Sequence, residues 1–375
     1  MAAAPETTKA FNELIDLLGE VRDRYALSPE RFSEDIDVVE AFRYVTHLLS
    51  EATELLAEGD ADRPRLSSIV SPARKFLGDN PDAIYQQAVI RGDRSYRITG
   101  RRDVQTYISF TIHGHDPAGG INGAVLADRN DRDFAVNADG SYEIILSADE
   151  HPGNWIPLHP DARFVFVRNY YLRERSAQTD SSIAVNIAIE PLAPLAPPAP
   201  LDDLAYATRL RDAVGFIRAN TMGLRMFHAP STAPFKSNVA NTIGTPWSFR
   251  NTGFAAAGAV DIFYAAGRFD LGPDEALVME GTIPAGAFTN VVLWNAQMQT
   301  LDYVHRRCSL NAAQIAYQPD GSYRIVVAAR DPGVANWIDT EGHRNGDIFW
   351  RFLLPESQPE TPRCRVVPLA DLATI

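Results

Sequence analysis

The chain has 375 residues, 45% hydrophobic and 22% charged, with a formal net charge of −13. That length suits two domains or two copies of one domain, and the composition is that of a globular protein. The acidity, with no basic stripe, speaks against a nucleic-acid partner, and no run approaches the ~18 apolar residues of a membrane span. Residues 1–60 hold five Lys/Arg and fourteen Asp/Glu, the charge pattern of solvated helix faces. Two helices are expected there. Phe11, Leu14, Ile15, Leu18, Val21 and Tyr25 recur at helical spacing, as do Val38, Phe42, Val45, Leu49, Ala52 and Leu56. Ser28-Pro29-Glu30 has the form of a cap with a first-turn proline, and Gly59 that of a stop. Their apolar stripes would cover the first sheet or form a homodimer contact. The start Met1-Ala-Ala-Ala-Pro-Glu lacks a signal-peptide pattern. With two cysteines, Cys308 and Cys364, a reducing cytoplasm is the expected location.

From about Ile69 the pattern changes to short alternating strands. Val104, Thr106, Ile108, Phe110 and Ile112 share one face; Gln105, Tyr107, Ser109, Thr111 and His113 share the other. Runs near 163–172 and 347–354 are apolar on both faces, so both should be covered twice. Between them, Leu192–Leu201 carries four prolines and reads as an extended linker. A helix over roughly 202–226 follows, with Leu204, Ala207, Leu210, Val214, Ile217 and Met222 on its stripe. The stretch 228–253 is a long loop rich in Pro, Ser, Asn and Thr, a length more common in site loops than in connections.

The strand region occurs twice. Asp139-Gly140-Ser141-Tyr142 returns as Asp320-Gly321-Ser322-Tyr323, and Asn154-Trp155-Ile156 as Asn336-Trp337-Ile338. Phe164–Arg168 returns as Asp347–Arg351, and Asp82-Ala-Ile-Tyr85 as Asp261-Ile-Phe-Tyr264. Four blocks in one order indicate an internal duplication. The Asp-Gly pairs read as hairpin turns. The fold class is therefore mainly β (α+β): two related β-sandwich or jelly-roll-like repeats with an N-terminal helical segment and a helical connector. The expected boundaries are 1–68 helical, 69–192 first repeat, 193–250 linker, helix and loop, and 251–375 second repeat.

Asp79-Asn80-Pro81-Asp82-Ala83-Ile84-Tyr85 resembles the Asn-x-Asp-x-x-Tyr signature of bacterial domain-of-unknown-function family 1254. The Asp-Gly hairpin, Asn154-Trp155-Ile156-Pro157 and Arg168-Asn169-Tyr170 resemble the ending of its frequent partner, family 1214. The second copy keeps Asn336-Trp337 and Arg351 but has Asp339 at the proline position. The resemblance spans most of 78–172 and, more weakly, 258–356, and implies β-rich sandwich domains without a settled activity.

Candidate site residues fall into duplicated and private sets. Asp82/Asp261 and Tyr85/Tyr264 are turn or strand-pairing residues, or a carboxylate and a phenol facing a pocket. Trp155/Trp337 and Arg168/Arg351 are read as stacked pairs, or the arginines as clamps for an anion. Private to the first copy is His113-Gly-His115, whose i, i+2 spacing on a strand would aim both rings at one metal. That pair is similar to the histidine pair of two-repeat cupins, although the later glutamate and histidine of that pattern are missing. Private to the second copy are Trp294, Asn295, Tyr303, His305, Arg306 and Arg307, with Arg250 and Asn251 upstream. These suit an anionic or polar-headed ligand on an apolar floor. No dinucleotide fingerprint, phosphate loop or serine elbow is present.

Two functions are expected from these residues. One is an enzyme without organic cofactor (hydrolase, lyase or isomerase) for a small, largely apolar substrate held between the repeats. In it Asp82, Tyr85, His113 and His305 move protons, while Asn80, Arg168, Arg250, Asn251, Tyr264, Trp294, Asn295, Tyr303, Arg306 and Arg351 bind. The other is a non-catalytic binder of the same ligand class. A metal-dependent cupin-like enzyme using His113 and His115 is a further alternative.

Overall fold

The structure is a computed structural model that describes residues 5–32, 34–121, 123–223, 230–249 and 259–374. Helices α1 (Glu6–Val21) and α2 (Asp35–Glu51) run on into single π-helical turns, Arg22–Ala26 and Ala52–Ala57. The first repeat contains β1 (Ser67–Ser68), β2 (Ala83–Val89), β3 (Tyr96–Arg101), β4 (Tyr107–Gly114), β5 (Val125–Asn130), β6 (Ser141–Ser147), β7 (Trp155–Pro157), β8 (Ala162–Tyr170) and β9 (Ile187–Pro191). After connector helix α3 (Asp203–Ala219) come β10 (Trp247–Ser248), β11 (Ile262–Asp270), β12 (Glu275–Gly281), β13 (Phe288–Trp294), β14 (Ser309–Asn311), β15 (Tyr323–Ala328), β16 (Trp337–Asp339), β17 (Asn345–Leu353) and β18 (Arg363–Pro368).

The expected duplication is present strand for strand. Sheet order β1-β2-β8-β4-β5 is matched by β10-β11-β17-β13-β14, and β7-β6-β3-β9 by β16-β15-β12-β18. In each repeat the five- and four-stranded sheets face each other over one core. Ile98, Ile108, Phe110, Ile144, Val165 and Val167 fill the first; Leu277, Val291, Leu293, Ile325, Ile348 and Trp350 fill the second. The alternation of β4 and β13 supplies one face to these cores and leaves the other for different work.

The repeated motifs are the same turn chemistry made twice. Gly140 and Gly321 sit at φ 87° and 83°, a region open to glycine at little cost. The carboxylates of Asp139 and Asp320 accept from Ser141 N and Ser322 N at 3.0 and 2.9 Å. Asn154 donates to Ala135 O and Glu143 O, as Asn336 donates to Ala316 O and Arg324 O. The expected stacking of Trp155 and Trp337 on the duplicated arginines is not formed. Each indole instead donates to a neighbouring strand carbonyl, Ser147 O or Ala328 O, while Arg168 lies over Phe166 and Arg351 over Phe349 and Trp294.

The helices also depart from expectation. The buried stripe of α1 is Ala10, Leu17, Val21 and the following Tyr25, whereas Phe11 and Ile15 are 52% and 53% exposed. The physical reason is the partner: α1 packs on α3, where small Ala10 meets Ala207 and Leu210. Ser28-Pro29-Glu30 starts no helix; α2 begins at Asp35, with Asp37 accepting from Glu34 N at 3.2 Å. Helix α3 is capped by Asp202, which accepts from Ala205 N at 2.7 Å.

The chain divides into two compact units. The first is 1–74, 85–169 and 184–225; the second is 75–84, 170–183 and 226–375. Two early segments thus belong with the second repeat. Among the described residues no helix is long and apolar enough to cross a membrane.

Candidate functional site

The outer face of the second unit's larger sheet brings aromatic, amide, carboxylate and guanidinium side chains together. Strand register writes it as three rungs. The first runs Trp247, Tyr264, Arg351, Asn290, Asn311; the second Ala266, Phe349, Val292, Ser309; the third Arg268, Asp347, Trp294. Residues opposite one another on antiparallel strands present side chains on the same face, so each rung is a row of neighbours. The rings join into one cluster. Trp294 stacks on Phe349 at 4.3 Å, Phe349 meets Tyr264 at 5.4 Å, and Tyr264 meets Phe249 at 5.6 Å. Phe249 packs edge-on against Trp247 at 4.8 Å, and Phe235 borders both. Phe235, Trp247 and Phe249 are half-buried, Trp294 and Tyr264 fully so.

Segment 75–84 lies on this face through polar contacts. Lys75 Nζ donates to Thr300 O (2.9 Å) and Leu301 O (2.8 Å), with the Tyr303 ring beneath it at 4.1 Å. Asp79 accepts from Thr300 N at 2.7 Å, and its carbonyl accepts from Trp294 Nε1 at 3.1 Å. Asp82 accepts from Asn290 Nδ2 (3.0 Å) and Asn311 Nδ2 (2.9 Å), and Asn80 Oδ1 also accepts from Asn290 (2.7 Å). Arg351 Nη2 donates to Gly78 O at 2.8 Å. Burial pushes both carboxyls up, Asp79 to about 6 against the pull of Lys75, Asp82 against the pull of Asn290 and Asn311. The Asn-x-Asp motif is thereby an anchor: its side chains are occupied in tying the segment down.

Three buried polar atoms beside the anchor lack a partner among the described residues: Arg351 Nη1, Asn80 Nδ2 and Asn290 Oδ1. Among the described residues neither oxygen of Asp347 has a hydrogen-bond partner. Burial pushes Asp347 up to about 7, with Lys236 and Arg268 pulling the other way.

The expected site residues separate as follows. Asn80, Asp82, Tyr264, Trp294 and Arg351 come together on this face. Asn295 accepts from Gln297 N and Gln299 N and shapes its own loop. Tyr303 serves Lys75, and Arg306 pairs with Asp339 at 2.8 Å. His305 is on the surface, its side chain 77% exposed, bonded to Asp302 at 2.8 Å, and joins no cluster. Arg250 and Asn251 lie outside the described residues. Tyr85, His113 and Arg168 belong to the first unit. There His113 is buried, Nδ1 on Gly123 O at 3.0 Å, and burial pushes it down to about 4, so it is neutral at pH 7. His115 lies exposed past the end of β4, so the shared strand face that its spacing calls for is not formed. Among the described residues no group of three or more His, Cys, Asp or Glu is placed to hold a metal. Sequence reading passed over Asp79, Asn290, Asn311, Asp347 and Phe349. The available signal was polarity at alternate positions of apolar strands, as at Asn290 within Phe-Thr-Asn-Val-Val-Leu-Trp.

A family model described as "Protein of unknown function (DUF1214)" matches residues 83–174 and again 268–357. A solved structure of an uncharacterised protein from Burkholderia cenocepacia is 32% identical, covers 97% of this chain and 98% of its own, and superposes with a TM-score of 0.85. The VPA0106 protein from Vibrio parahaemolyticus is 13% identical over 87% of this chain and 98% of its own, with a TM-score of 0.49. No curated protein matches. The chain belongs to this family of unknown function and carries its domain twice.

Proposed function

We propose that the protein binds a small, largely apolar molecule with an anionic head on the aromatic face of its second β domain. The observation that carries this is Arg351: a buried guanidinium over two ring faces, at 4.8 and 5.2 Å, with Nη1 unpartnered. A buried donor without an acceptor is costly, and a carboxylate is the partner a guanidinium fits best. The Phe349, Trp294 and Tyr264 rings supply the apolar floor. The test is tryptophan fluorescence titration with arylalkanoic acids and their neutral amides, beside mass spectrometry of small molecules extracted from purified protein. Acids binding at least tenfold tighter than amides, with the preference lost in Arg351→Met, supports the reading; equal affinity for both sinks it.

A catalytic version is favoured by Asp347, a carboxyl on the same face pushed into the range where a general base works at neutral pH. In this version no organic cofactor takes part, and the reaction is a hydrolysis, elimination or isomerisation of the bound molecule. Turnover of the extracted compound, lost in Asp347→Asn with binding retained, is the expected result; binding without turnover leaves a carrier. Elemental analysis tests the cupin-like alternative, which requires stoichiometric metal that disappears with His113→Ala and His115→Ala.

Two further readings go with this one. The exposed Phe11, Ile15, Val39 and Phe42 on the N-terminal helices support a homodimer contact, for which light scattering of Phe11→Glu should report a monomer. The free thiols Cys308 and Cys364 suit a cytoplasmic setting, to be checked by fractionation.

A further inference from the structure

Away from the aromatic face, a cavity of about 300 Å³ opens where three loops of the second repeat meet, those following β11, β15 and β16. Thr340, 1% exposed, lines it, and its Oγ1 has no hydrogen-bond partner among the described residues. The backbone around Thr340 is held from several sides. Its carbonyl accepts from His343 N and from His343 Nδ1, both at 2.9 Å. The intervening Glu341 and Gly342 both take positive φ, 56° and 86°. For glutamate that conformation is strained, and the tight turn it makes sets the buried His343 ring in the cavity wall. The bond to a carbonyl requires Nδ1 of His343 to carry its proton.

Arg330, Arg344 and Asp274 line the cavity, and the Glu275 carboxylate accepts from the lining Gly272 N at 2.8 Å. Arg330 pairs with Asp274, whereas Arg344 makes no ion pair among the described residues and is exposed. Leu271, Pro273 and Ala329 give the remaining wall an apolar character. One guanidinium without an ion pair and one buried hydroxyl without a partner among the described residues, beside an apolar wall, suit a monoanion with a short hydrocarbon part.

We propose that this loop-end cavity is a second binding site, for a small monocarboxylate, with Arg344 meeting the carboxylate and the Thr340 hydroxyl donating to one of its oxygens. The site is independent of the aromatic face and does not use Arg351.

The test is isothermal titration of the full chain with acetate, propionate, benzoate and inorganic phosphate, repeated on Thr340→Val and Arg344→Gln. Valine keeps the shape of threonine and removes only the hydroxyl, and urea midpoints check that both variants fold. Loss of one hydrogen bond to a charged group predicts affinity for the carboxylate weaker by about tenfold in Thr340→Val. Arg344→Gln should weaken it at least as much. No heat with any carboxylate, equal affinity in all three proteins, or binding of phosphate alone would overturn the proposal. Loss of binding only in Arg351→Met would place the carboxylate on the aromatic face instead.

Discussion

The outer faces of the two larger sheets descend from the same repeated sequence and have been given opposite chemistry. In the first unit β4 presents Ser109, Thr111 and His113, and β8 presents Phe166 and Arg168. Arg168 donates to Thr111, which donates in turn to Asp128, both at 2.5 Å, and buried Gln87 donates to Glu51 at the end of α2. In the second unit the same face is a sheet of rings with a guanidinium among them. The cores beneath differ far less: both are filled by alternating Ile, Val, Leu and Phe. Duplication holds the core to one solution because packing there tolerates little change, while the other side of each strand is free to follow whatever comes to lie on it.

Asp82 and its repeat counterpart Asp261 give the largest expected contrast. Asp82 is fully buried under two asparagine donors, so Asp82→Ala should cost about 3–5 kcal/mol, the range for stripping one partner from a buried charged network. The same change at Asp261, which is 6% exposed, should cost less, since water reaches a carboxylate that is not wholly buried. Urea denaturation of both variants decides the matter, and equal losses would end the anchor interpretation.

The pH dependence of stability should run in opposite directions for the two faces. His113 has its folded value lowered from 6.5 to about 4, so the native state resists protonation. Its contribution is therefore present above pH 6.5 and lost as pH falls towards 4, on the order of 3 kcal/mol. Asp347 is raised from 3.8 to about 7, so its contribution is present below pH 4 and lost as pH rises through 7. Thermal melts from pH 4 to 8 should show His113→Leu removing a loss of stability towards pH 4 and Asp347→Asn removing a loss towards pH 7. A variant that moves the wrong limb would refute its own half of the contrast.

The smallest difference concerns the duplicated arginines. Arg168→Met should cost about 1–3 kcal/mol through the hydrogen bond to Thr111 and leave ligand binding intact. Arg351→Met should abolish the preference for acids over amides. Fluorescence titration of the pair separates the roles, and matching effects on binding would remove the second domain's claim to the site.

The duplication, the Asp-Gly turns and the strand alternation were readable in the chain because they are local: each depends on residues a few positions apart. Residues Ile108, Phe110 and Ile112 took the core as their spacing required. The helix stripe was misplaced by a position because Phe11 and Ile15 outweigh Ala10 in any count of hydrophobicity, whereas a close helix crossing prefers the small side chain. The aromatic face was half visible. Tyr264, Trp294 and Arg351 stood out as single residues, but the rungs they sit on are set by register across neighbouring strands, and Asn290, Asn311 and Asp347 have no meaning until that register is known. The anchoring role of Asn80 and Asp82 was hidden for the same reason, since their partners lie more than 200 positions away.

Residues 75–84 belong to the unit whose main body begins at residue 226. During synthesis this strap leaves the ribosome long before the strands it will lie on. Lys75, Asp79 and Asp82 must therefore wait, ionised and hydrated, until β13 and β14 have been made. The first repeat can close early, but the second cannot finish until the C-terminal strands reach back for a segment made near the start. A nascent chain stalled before Phe288 should be the form on which a chaperone or a protease finds that strap.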